Sequence, residues 1–525
     1  MQLIFQDVQK TERSGVPCIL QRAEVTDNGF FWVWWRKSQS PLKLTVSVRN
    51  EDGKYYAYRL MPMDNGLKAL PRLPAYSLRN TKGLLPYQPR AVASLCSSLL
   101  KHGKALDGSD TGVGKTYVSA AVCRELGFKA CVLCTKANIG TWIRVLTEFK
   151  VPIAAVTNWE TVKIRKNGRF MFCHYDAHYD DYQWNLPAKT LIIFDEAHFA
   201  NHSDSLNYKV YRASIKYPSI SVSATMADKL ERLQFLFNLF NIIPEHAFSS
   251  WIRSRGHYEH PYNEMELEGL SDSQDMAEVG KYLYTNFGCR LSISDSDVRS
   301  YFPDVMYESR LIDIGSTNVN KQQKSYQQMM TRVQTLVEEG KQAEALNANL
   351  KYRQTAELLK THALAELATN YVKQGNSVVL FVNFLDTLFY LSNLLHTTSL
   401  IYGGQDSKIS RTKVIEDFQA DRTPIIIAML AAGGQSISLH DLHGNRRRIS
   451  LICPTYNPYH IKQVLGRTYR ALSRTPPLIQ LVYTLGTIEE QVSQRVAMKI
   501  RAIDSLNQGD LVEDDIFNVF KGRIE

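Results

Sequence analysis

The sequence predicts an α/β protein with two parallel-sheet lobes, a helical insertion between them and a small N-terminal β-rich module. Three observations lead to this architecture. At 525 residues the chain is too long for a single compact core. Strand-like apolar runs alternate with amphipathic helical stretches in two separate blocks, which is the pattern of βαβ units in a parallel sheet. A polar and charged helical stretch separates the two blocks.

The N-terminal module is predicted over residues 1–61. Apolar and polar side chains alternate over residues 42–60, and the turn sequence at 50–53 divides this stretch, so that an antiparallel hairpin is expected. Aromatic and basic side chains at 29–37 could stack bases and hold phosphate, but such clusters in a small sheet more often form its core. Residues 62–83 are rich in Pro and Gly and are predicted to be a linker.

The remaining elements follow from the order of apolar runs along the chain. The first lobe is predicted over residues 84–244, with strands at 130–134, 191–194 and 220–222. The helical insertion is predicted over 245–355, where one helix face carries Met330, Val333, Leu336 and Val337. The second lobe is predicted over 356–508, with strands at 378–382, 425–428 and 450–453. Residues 509–525 form an acidic tail, interpreted as a solvated surface.

Composition and charge define the broad class of protein. Hydrophobic residues make up 44% and charged residues 22%, which is ordinary for a globular protein. The formal net charge of +10 suits a polyanionic partner without identifying one. The sequence contains no apolar stretch of membrane-spanning length and no export signal at its N-terminus, and its eight cysteines suit a reducing compartment. We therefore expect a soluble intracellular protein, in a prokaryotic cytoplasm or in a eukaryotic nucleus or viral factory.

The strongest single motif is the sequence SDTGVGKT at residues 109–116. In such a loop the backbone N–H groups turn toward phosphate oxygens, here those of Asp110, Thr111, Gly112, Val113 and Gly114. Lys115 supplies a positive charge to the β and γ phosphates of ATP, and the Thr116 hydroxyl can bind Mg²⁺. Ser109 stands where the usual pattern has its first glycine, and an ordinary glycine turn before a helix is the alternative interpretation.

A second motif follows the predicted strand at 191–194, where two acids stand side by side. Asp195 is placed to bind the metal ion and Glu196 to activate the attacking water, as metal-assisted phosphoryl transfer requires. Alone, the pair could be a solvated strand end, but after a phosphate loop it indicates a Walker B site. His198, with Ser223 and Thr225 after the next strand, is predicted to couple the state of the metal site to the other lobe.

The second lobe carries the sequence QVLGRTYR at residues 463–470. Phosphoryl transfer spreads negative charge over the phosphate oxygens, and an arginine from another rigid body neutralises it only when the cleft is closed. Arg467 and Arg470 are the predicted arginine fingers, and Gln463 belongs to the same catalytic motif. Exposed basic residues on a helix are the alternative interpretation.

Taken together, these motifs resemble those of the superfamily 2 helicases, and among them the Swi/Snf-type double-stranded DNA translocases. The resemblance runs from about residue 84 to about residue 500. It implies two RecA-like lobes, with Gln88 of the entry motif at 84–88 reading adenine. Further segments in the family's order resemble motifs Ia, Ib, IV and V, and imply nucleic-acid contacts at Thr135, Lys136, Asn158, Asn383, Gly433 and Gly434.

The function implied is an ATP- and Mg²⁺-dependent motor on nucleic acid, with duplex DNA favoured over single-stranded DNA or RNA and no sequence preference. Two alternatives stay open from the sequence. One is an RNA helicase or transcription-associated NTPase. The other is a nucleic-acid-binding scaffold with a vestigial ATPase site, against which the intact Lys115, Asp195, Glu196 and Arg467 argue.

Overall fold

The computed structural model describes most of the chain between residues 70 and 507. The described residues are 6–13, 16–24, 46–51, 54–62, 67, 70–165, 170–254, 268–312, 316–404, 408–433, 437–484, 489, 492, 496, 500 and 503–507. The aromatic stretch at 29–37, Gly434 and the acidic tail at 509–525 lie outside them.

The N-terminal strands form one antiparallel sheet of order β1-β2-β4-β3. They are β1 (Gln6–Arg13), β2 (Val16–Glu24), β3 (Val46–Glu51) and β4 (Lys54–Pro62). Strands β3 and β4 pair as the hairpin expected from the alternating sequence, with Val48 opposite Ala57. The guanidinium of Arg22 lies 4.5 Å from the ring centre of Tyr56, a cation–π contact across β2 and β4.

The first lobe begins with helix α1 and ends with a short edge strand. Its elements are α1 (Gln88–His102), β5 (Lys104–Asp107), α2 (Lys115–Leu126), β6 (Lys129–Cys134), α3 (Ile139–Glu148), β7 (Ile153–Asn158), α4 (Trp159–Val162), β8 (Cys173–Asp176), β9 (Asp181–Trp184), β10 (Thr190–Asp195), α5 (Leu206–Ala213), β11 (Ser219–Val222), α6 (Gln234–Leu239), α7 (Glu245–Ser254), α8 (Glu268–Phe287) and β12 (Gly288–Cys289). Strands β8 and β9 form a separate antiparallel pair.

Six of these strands form a parallel sheet of order β12-β5-β11-β10-β6-β7. Every residue of β5, β10 and β11 is buried, as expected for central strands covered by helices on both faces. The register places Asp195 opposite Val222 and Val222 opposite Asp107. The carboxyl ends of the central strands therefore meet at one edge of the sheet, where loops of α/β folds bind ligands.

The second lobe has the same construction. Its elements are α9 (Ser296–Arg299), β13 (Met306–Ile312), α10 (Ser316–Glu338), α11 (Gln342–Leu359), α12 (Thr361–Lys373), β14 (Ser377–Val382), α13 (Leu385–Leu394), β15 (Leu400–Ile401), α14 (Lys408–Gln419), β16 (Ile425–Met429), α15 (Leu430–Gly433), β17 (Arg448–Ile452), α16 (Pro458–Thr468) and β18 (Leu478–Thr484). The strands form a parallel sheet of order β13-β18-β17-β14-β16-β15. The predicted fold class is confirmed.

The helical insertion expected at 245–355 differs from the structure in one respect. Helices α7, α8, α9 and α10 and most of α11 lie within it, and Leu336 is buried on the predicted apolar face of α10. Strands β12 and β13 also lie within it and extend the sheets of the first and second lobes. The sequence did not reveal them because β12 has two residues and β13 is a partly exposed edge strand without an apolar run. The domain boundaries themselves stay predictions.

Cysteine environment and helix hydropathy agree with the sequence analysis. Seven cysteines among the described residues are free and buried. Cys131 and Cys134, which have the CxxC spacing, lie inside β6, and burial raises the pKa of Cys131 to about 12. Burial raises the pKa of Cys134 as well, which disfavours the reactive thiolate form of both core thiols. In the part of the chain that the structure describes, no helix combines the length and the apolarity needed to cross a bilayer.

Candidate active site

The predicted phosphate loop joins strand β5 to helix α2. Gly112 and Gly114 have φ values of 87° and 93°, in the left-handed region that favours glycine. Between them, the buried Val113 accepts two hydrogen bonds at its carbonyl oxygen, from the Tyr87 hydroxyl at 3.1 Å and from Gln88 Nε2 at 2.8 Å. Helix α1 therefore fixes the loop from one side. Gln88 also accepts at Oε1 from the Leu85 N–H at 2.8 Å, and its adenine-reading role stays a prediction.

The segment at 288–293 fixes the phosphate loop from the other side. The Asp110 N–H donates to the Leu291 carbonyl at 2.9 Å, and the Ile293 N–H donates to Asp110 Oδ2 at 2.8 Å. The Leu291 N–H donates to Ser109 Oγ at 2.9 Å. Ser109 at the first-glycine position thus serves as a side-chain anchor. The sequence did not reveal this support, because Ser109 and Leu291 are 182 residues apart along the chain.

Lys115 is the first residue of α2, and its ammonium lies against its own loop. Nζ donates to the carbonyl oxygens of Ser109 and Asp110, both at 2.9 Å. Burial lowers the pKa of Lys115, and four nearby carboxylates oppose that shift, those of Asp107, Glu196, Asp110 and Asp195. Thr116 follows in the first turn of α2 and is half-buried. The cation is thus held by neutral acceptors that a phosphate oxygen could replace.

The predicted metal ligand Asp195 ends the buried strand β10. Its Oδ2 accepts two hydrogen bonds, from the Trp142 indole at 2.8 Å and from Asn138 Nδ2 at 2.9 Å. Burial and the neighbouring Glu196 raise the pKa of Asp195 to about 6, while these two donors lower it. The Trp159 indole donates to the Asp195 main-chain carbonyl at 3.0 Å. Two tryptophans of the first lobe, Trp142 and Trp159, therefore hold this residue, a role that the sequence did not reveal.

Glu196 has a φ of 54°, which is uncommon for a residue with a side chain. Its Oε2 lies 3.3 Å from Nδ1 of the buried His198, and that nitrogen lies 3.0 Å from Ser223 Oγ and 3.4 Å from Thr225 Oγ1. Burial raises the pKa of Glu196, but the hydrogen bond and charge of His198, with Lys115 and Arg467, lower it below the usual value. The structure thus brings the three predicted coupling residues together beside an ionised carboxylate.

The predicted arginine fingers lie at the end of helix α16 in the second lobe, with Arg467 in its last turn and Arg470 two residues after it. Arg467 is 6% exposed and donates to the Ile437 carbonyl at 3.2 Å, and Arg470 donates to the same carbonyl at 3.0 Å. Burial and the adjacent Arg470 lower the pKa of Arg467 to about 9, and the charges of Glu196 and Asp195 oppose that shift. The Arg467 guanidinium is therefore near enough to the acid pair of the first lobe for their charges to interact. Gln463, one turn earlier, is buried.

The two lobes touch at the phosphate loop itself. A Cβ added at Gly466 of α16 would lie 2.5 Å from Thr111 Oγ1, and one at Gly112 would lie 3.4 Å from Arg470 Cγ. Both close approaches join the loop after β5 to helix α16 and to the residues that directly follow it. The predicted ATP residues of both lobes therefore converge on one cleft, although their individual roles stay predictions.

The predicted nucleic-acid residues lie at the carboxyl ends of neighbouring strands. Thr135 and the exposed Lys136 follow β6, and Asn158 ends β7. The Asn158 side chain caps α4 by accepting from the Thr161 N–H at 3.0 Å. Asn383 and Gly433 follow β14 and β16, which are neighbours in the second sheet. Asn383 Nδ2 donates to Glu357 Oε2 at 2.6 Å and to the Pro454 carbonyl at 2.8 Å. Both amides thus stabilise the local fold.

Comparisons with known proteins agree with this arrangement. Residues 81–228 match the family described as Type III restriction enzyme, res subunit, and residues 359–472 match the Helicase conserved C-terminal domain. A protein of Acanthamoeba polyphaga mimivirus is 30% identical to this chain over 492 residues, which are 87% of this chain and 90% of that protein. It carries the provisional name ATP-dependent RNA helicase L364.

A human protein named DNA repair and recombination protein RAD54-like is 28% identical over 136 residues, which are 25% of this chain and 18% of that protein. Among solved structures, the Sulfolobus solfataricus SWI2/SNF2 ATPase core in complex with dsDNA matches 84% of this chain and 96% of that chain. The identity is 16% and the TM-score is 0.33, a similarity too low to support a structural argument.

Proposed function

Because this chain belongs to the superfamily 2 helicases, and is therefore an ATP-hydrolysing enzyme, we propose that it is a motor of the Snf2 type that moves along duplex DNA without sequence preference. ATP is hydrolysed in the cleft between the two lobes. The observation that carries this proposal is the contact of the phosphate loop with helix α16, where Gly466 approaches Thr111. The charge of Arg467 also interacts with those of Glu196 and Asp195. Binding of ATP closes the cleft, and hydrolysis reopens it.

In the proposed mechanism the loop at 109–114 binds the phosphates through its N–H groups, and Lys115 exchanges its two carbonyl partners for phosphate oxygens. Glu196 accepts the proton of the attacking water, because its lowered pKa keeps it ionised at neutral pH. Arg467 and Arg470 neutralise the charge that develops on the transferred phosphoryl group. His198 holds the Glu196 carboxylate in place.

Asp195 and Thr116 are the residues that would hold Mg²⁺. Both offer oxygen ligands, as this cation prefers, and among the described residues the hydrogen bonds to the Asp195 carboxylate go to Oδ2. When bound, Mg²⁺ supplies charge neutralisation on the phosphate oxygens. Trp142 and Asn138 orient Asp195 for this task.

Two observations support duplex DNA as the track. The family resemblance is to Swi/Snf-type translocases, and the human relative is named for DNA repair and recombination. The net charge of +10 supports a polyanionic partner in general. Lys136 and the strand ends after β6, β7, β14 and β16 are the proposed phosphate contacts. Because these contacts reach the backbone and not the base edges, binding is expected to be independent of sequence and sensitive to salt. An intracellular location is part of the same proposal.

An RNA helicase is the second candidate, because the mimivirus relative carries that name. The deciding experiment measures ATP turnover with duplex DNA, single-stranded DNA, duplex RNA and single-stranded RNA at equal nucleotide concentration, with the Glu196→Gln variant as the background. We expect duplex DNA to stimulate most, and the protein to displace the third strand of a DNA triplex while ATP is hydrolysed. Stronger stimulation by RNA would select the second candidate, and turnover that no nucleic acid changes would refute both.

A further inference from the structure

Tyr459 is a side chain of the second lobe that reaches into the first lobe. It is the second residue of α16, and Asn457 fixes the start of that helix by accepting from the N–H groups of Tyr459 at 3.0 Å and His460 at 3.4 Å. The Tyr459 ring stacks on the His198 ring with centres 5.0 Å apart and planes at 7°. None of the sequence motifs drew attention to this residue.

The Tyr459 hydroxyl completes the contact with two hydrogen bonds to the first lobe. It donates to Asp228 Oδ1 at 2.8 Å and accepts from Asn201 Nδ2 at 3.1 Å. Burial and the nearby Asp228 raise the pKa of Tyr459 well above its usual value, so the hydroxyl keeps its proton. Both its donor and its acceptor capacity are therefore used across the cleft.

The partners of Tyr459 lie on the two segments that follow the catalytic strands. His198 and Asn201 follow β10, and Asp228 follows Thr225 and strand β11. One side chain of the second lobe thus connects both segments at once. The ring that it covers is the one whose Nδ1 lies 3.3 Å from Glu196 and 3.0 Å from Ser223. The nearly parallel stack fixes the plane of this ring, and the ring plane sets where Nδ1 points.

We propose that Tyr459 is a positioning residue, which locks the His198 ring when the lobes close and thereby holds Glu196 in its working orientation. The inference rests on the proposed function, since it needs hydrolysis in the closed cleft. Tyr459 responds to closure only through its position relative to the first lobe. When the lobes separate, both hydrogen bonds and the stack are lost together, and the His198 ring is no longer covered.

The test compares Tyr459→Phe, which keeps the ring and removes both hydroxyl hydrogen bonds, with Tyr459→Leu, which also removes the stack. Tyr390→Phe is the matched control, because its hydroxyl contacts His362 within the second lobe at 3.1 Å. With saturating nucleic acid, Tyr459→Phe is expected to lower kcat about tenfold, the effect of one hydrogen bond to a charged group, with the KM for ATP changed less than about twofold. Tyr459→Leu should lower kcat further, and the control should match the wild type.

A double-mutant cycle with Asp228→Ala separates positioning from general packing. If the hydroxyl acts through Asp228, the double variant with Tyr459→Phe should turn over no more slowly than the slower single variant. Thermal unfolding of each variant checks that the fold is kept. The inference would be overturned if the two substitutions multiplied their effects on kcat in the double variant, or if Tyr459→Phe kept the wild-type kcat. Either result would leave the proposed function in place. A wild-type protein that hydrolyses no ATP would instead refute the proposed function and this inference with it.

Discussion

Replacing Trp142 by Phe should weaken Mg²⁺ binding in a manner that depends on pH. The Trp142 indole donates one of the two hydrogen bonds received by Asp195 Oδ2, at 2.8 Å, and Asn138 donates the other. Phe keeps an aromatic ring in the buried position and removes the N–H donor, and the Trp159→Phe control described below makes the same change in volume. The Asp195 carboxylate then has less support for its charged form, so its pKa rises from the value of about 6 that burial and Glu196 already impose.

The size of the effect follows from the lost hydrogen bond. A hydrogen bond to a charged group contributes about 1.5–3 kcal/mol, which corresponds to roughly one to two pKa units. The pKa of Asp195 is therefore expected to rise into or above the neutral range in the variant. At pH 7 Mg²⁺ must then displace a proton from about half or more of the molecules, and its apparent affinity should fall roughly two- to tenfold. At pH 9 both proteins carry the ionised carboxylate, and the difference should nearly vanish.

The assay is calorimetric or Mn²⁺-resonance titration of the divalent ion in the presence of a non-hydrolysable ATP analogue, between pH 6 and pH 9. Trp159→Phe is the matched control, because that indole donates to the main-chain carbonyl of Asp195 at 3.0 Å and not to its carboxylate. A loss of affinity in the Trp142 variant that persists unchanged at pH 9, or an equal loss in the control, would refute the reasoning. Thermal unfolding measurements show whether a variant has lost its fold in general.

Four further changes test other parts of the site and the fold. Glu196→Gln should abolish turnover and keep binding of an ATP analogue, because it removes the base and not the phosphate loop; full turnover would contradict the assignment. Arg467→Ala should lower kcat about 10³-fold with little change in ATP affinity, and a defect in affinity alone would argue against a finger. Gly466→Val should block closure against Thr111 and abolish turnover without changing the melting temperature of either lobe; normal turnover would show that the cleft need not close this far. Burial lowers the pKa of Lys104 from 10.5 to about 8, so between these pH values the unfolded chain binds more protons than the folded chain. Denaturant titrations should therefore show that the wild type gains roughly 3 kcal/mol of stability relative to Lys104→Met as the pH rises from 8 to 10.5. A stability difference that stays constant over this pH range would contradict this expectation.

The strands that sequence analysis predicted share one physical property. Strands β6, β10, β11, β14, β16 and β17 are central or nearly central in parallel sheets, and burial on both faces makes them mainly apolar, with buried serines in β11 and β17. Strand β18 was missed although all seven of its residues are buried, because Gln480 interrupts the apolar run and donates to Glu308 of β13 at 2.7 Å. Strands β5 and β15 have four and two residues, too few for any periodicity to emerge.

The sequence by itself determined the two α/β lobes, the phosphate loop, the acid pair and the paired arginines. Each of these depends on residues that are neighbours along the chain, so spacing alone carries the signal. Only the tertiary structure decided how these pieces meet. The hydrogen bond of Trp142 to Asp195 joins residues 53 positions apart, and that of Tyr459 to Asp228 joins residues 231 positions apart. Contacts over such separations leave no local pattern, because they depend on strand order and on the docking of one lobe against the other.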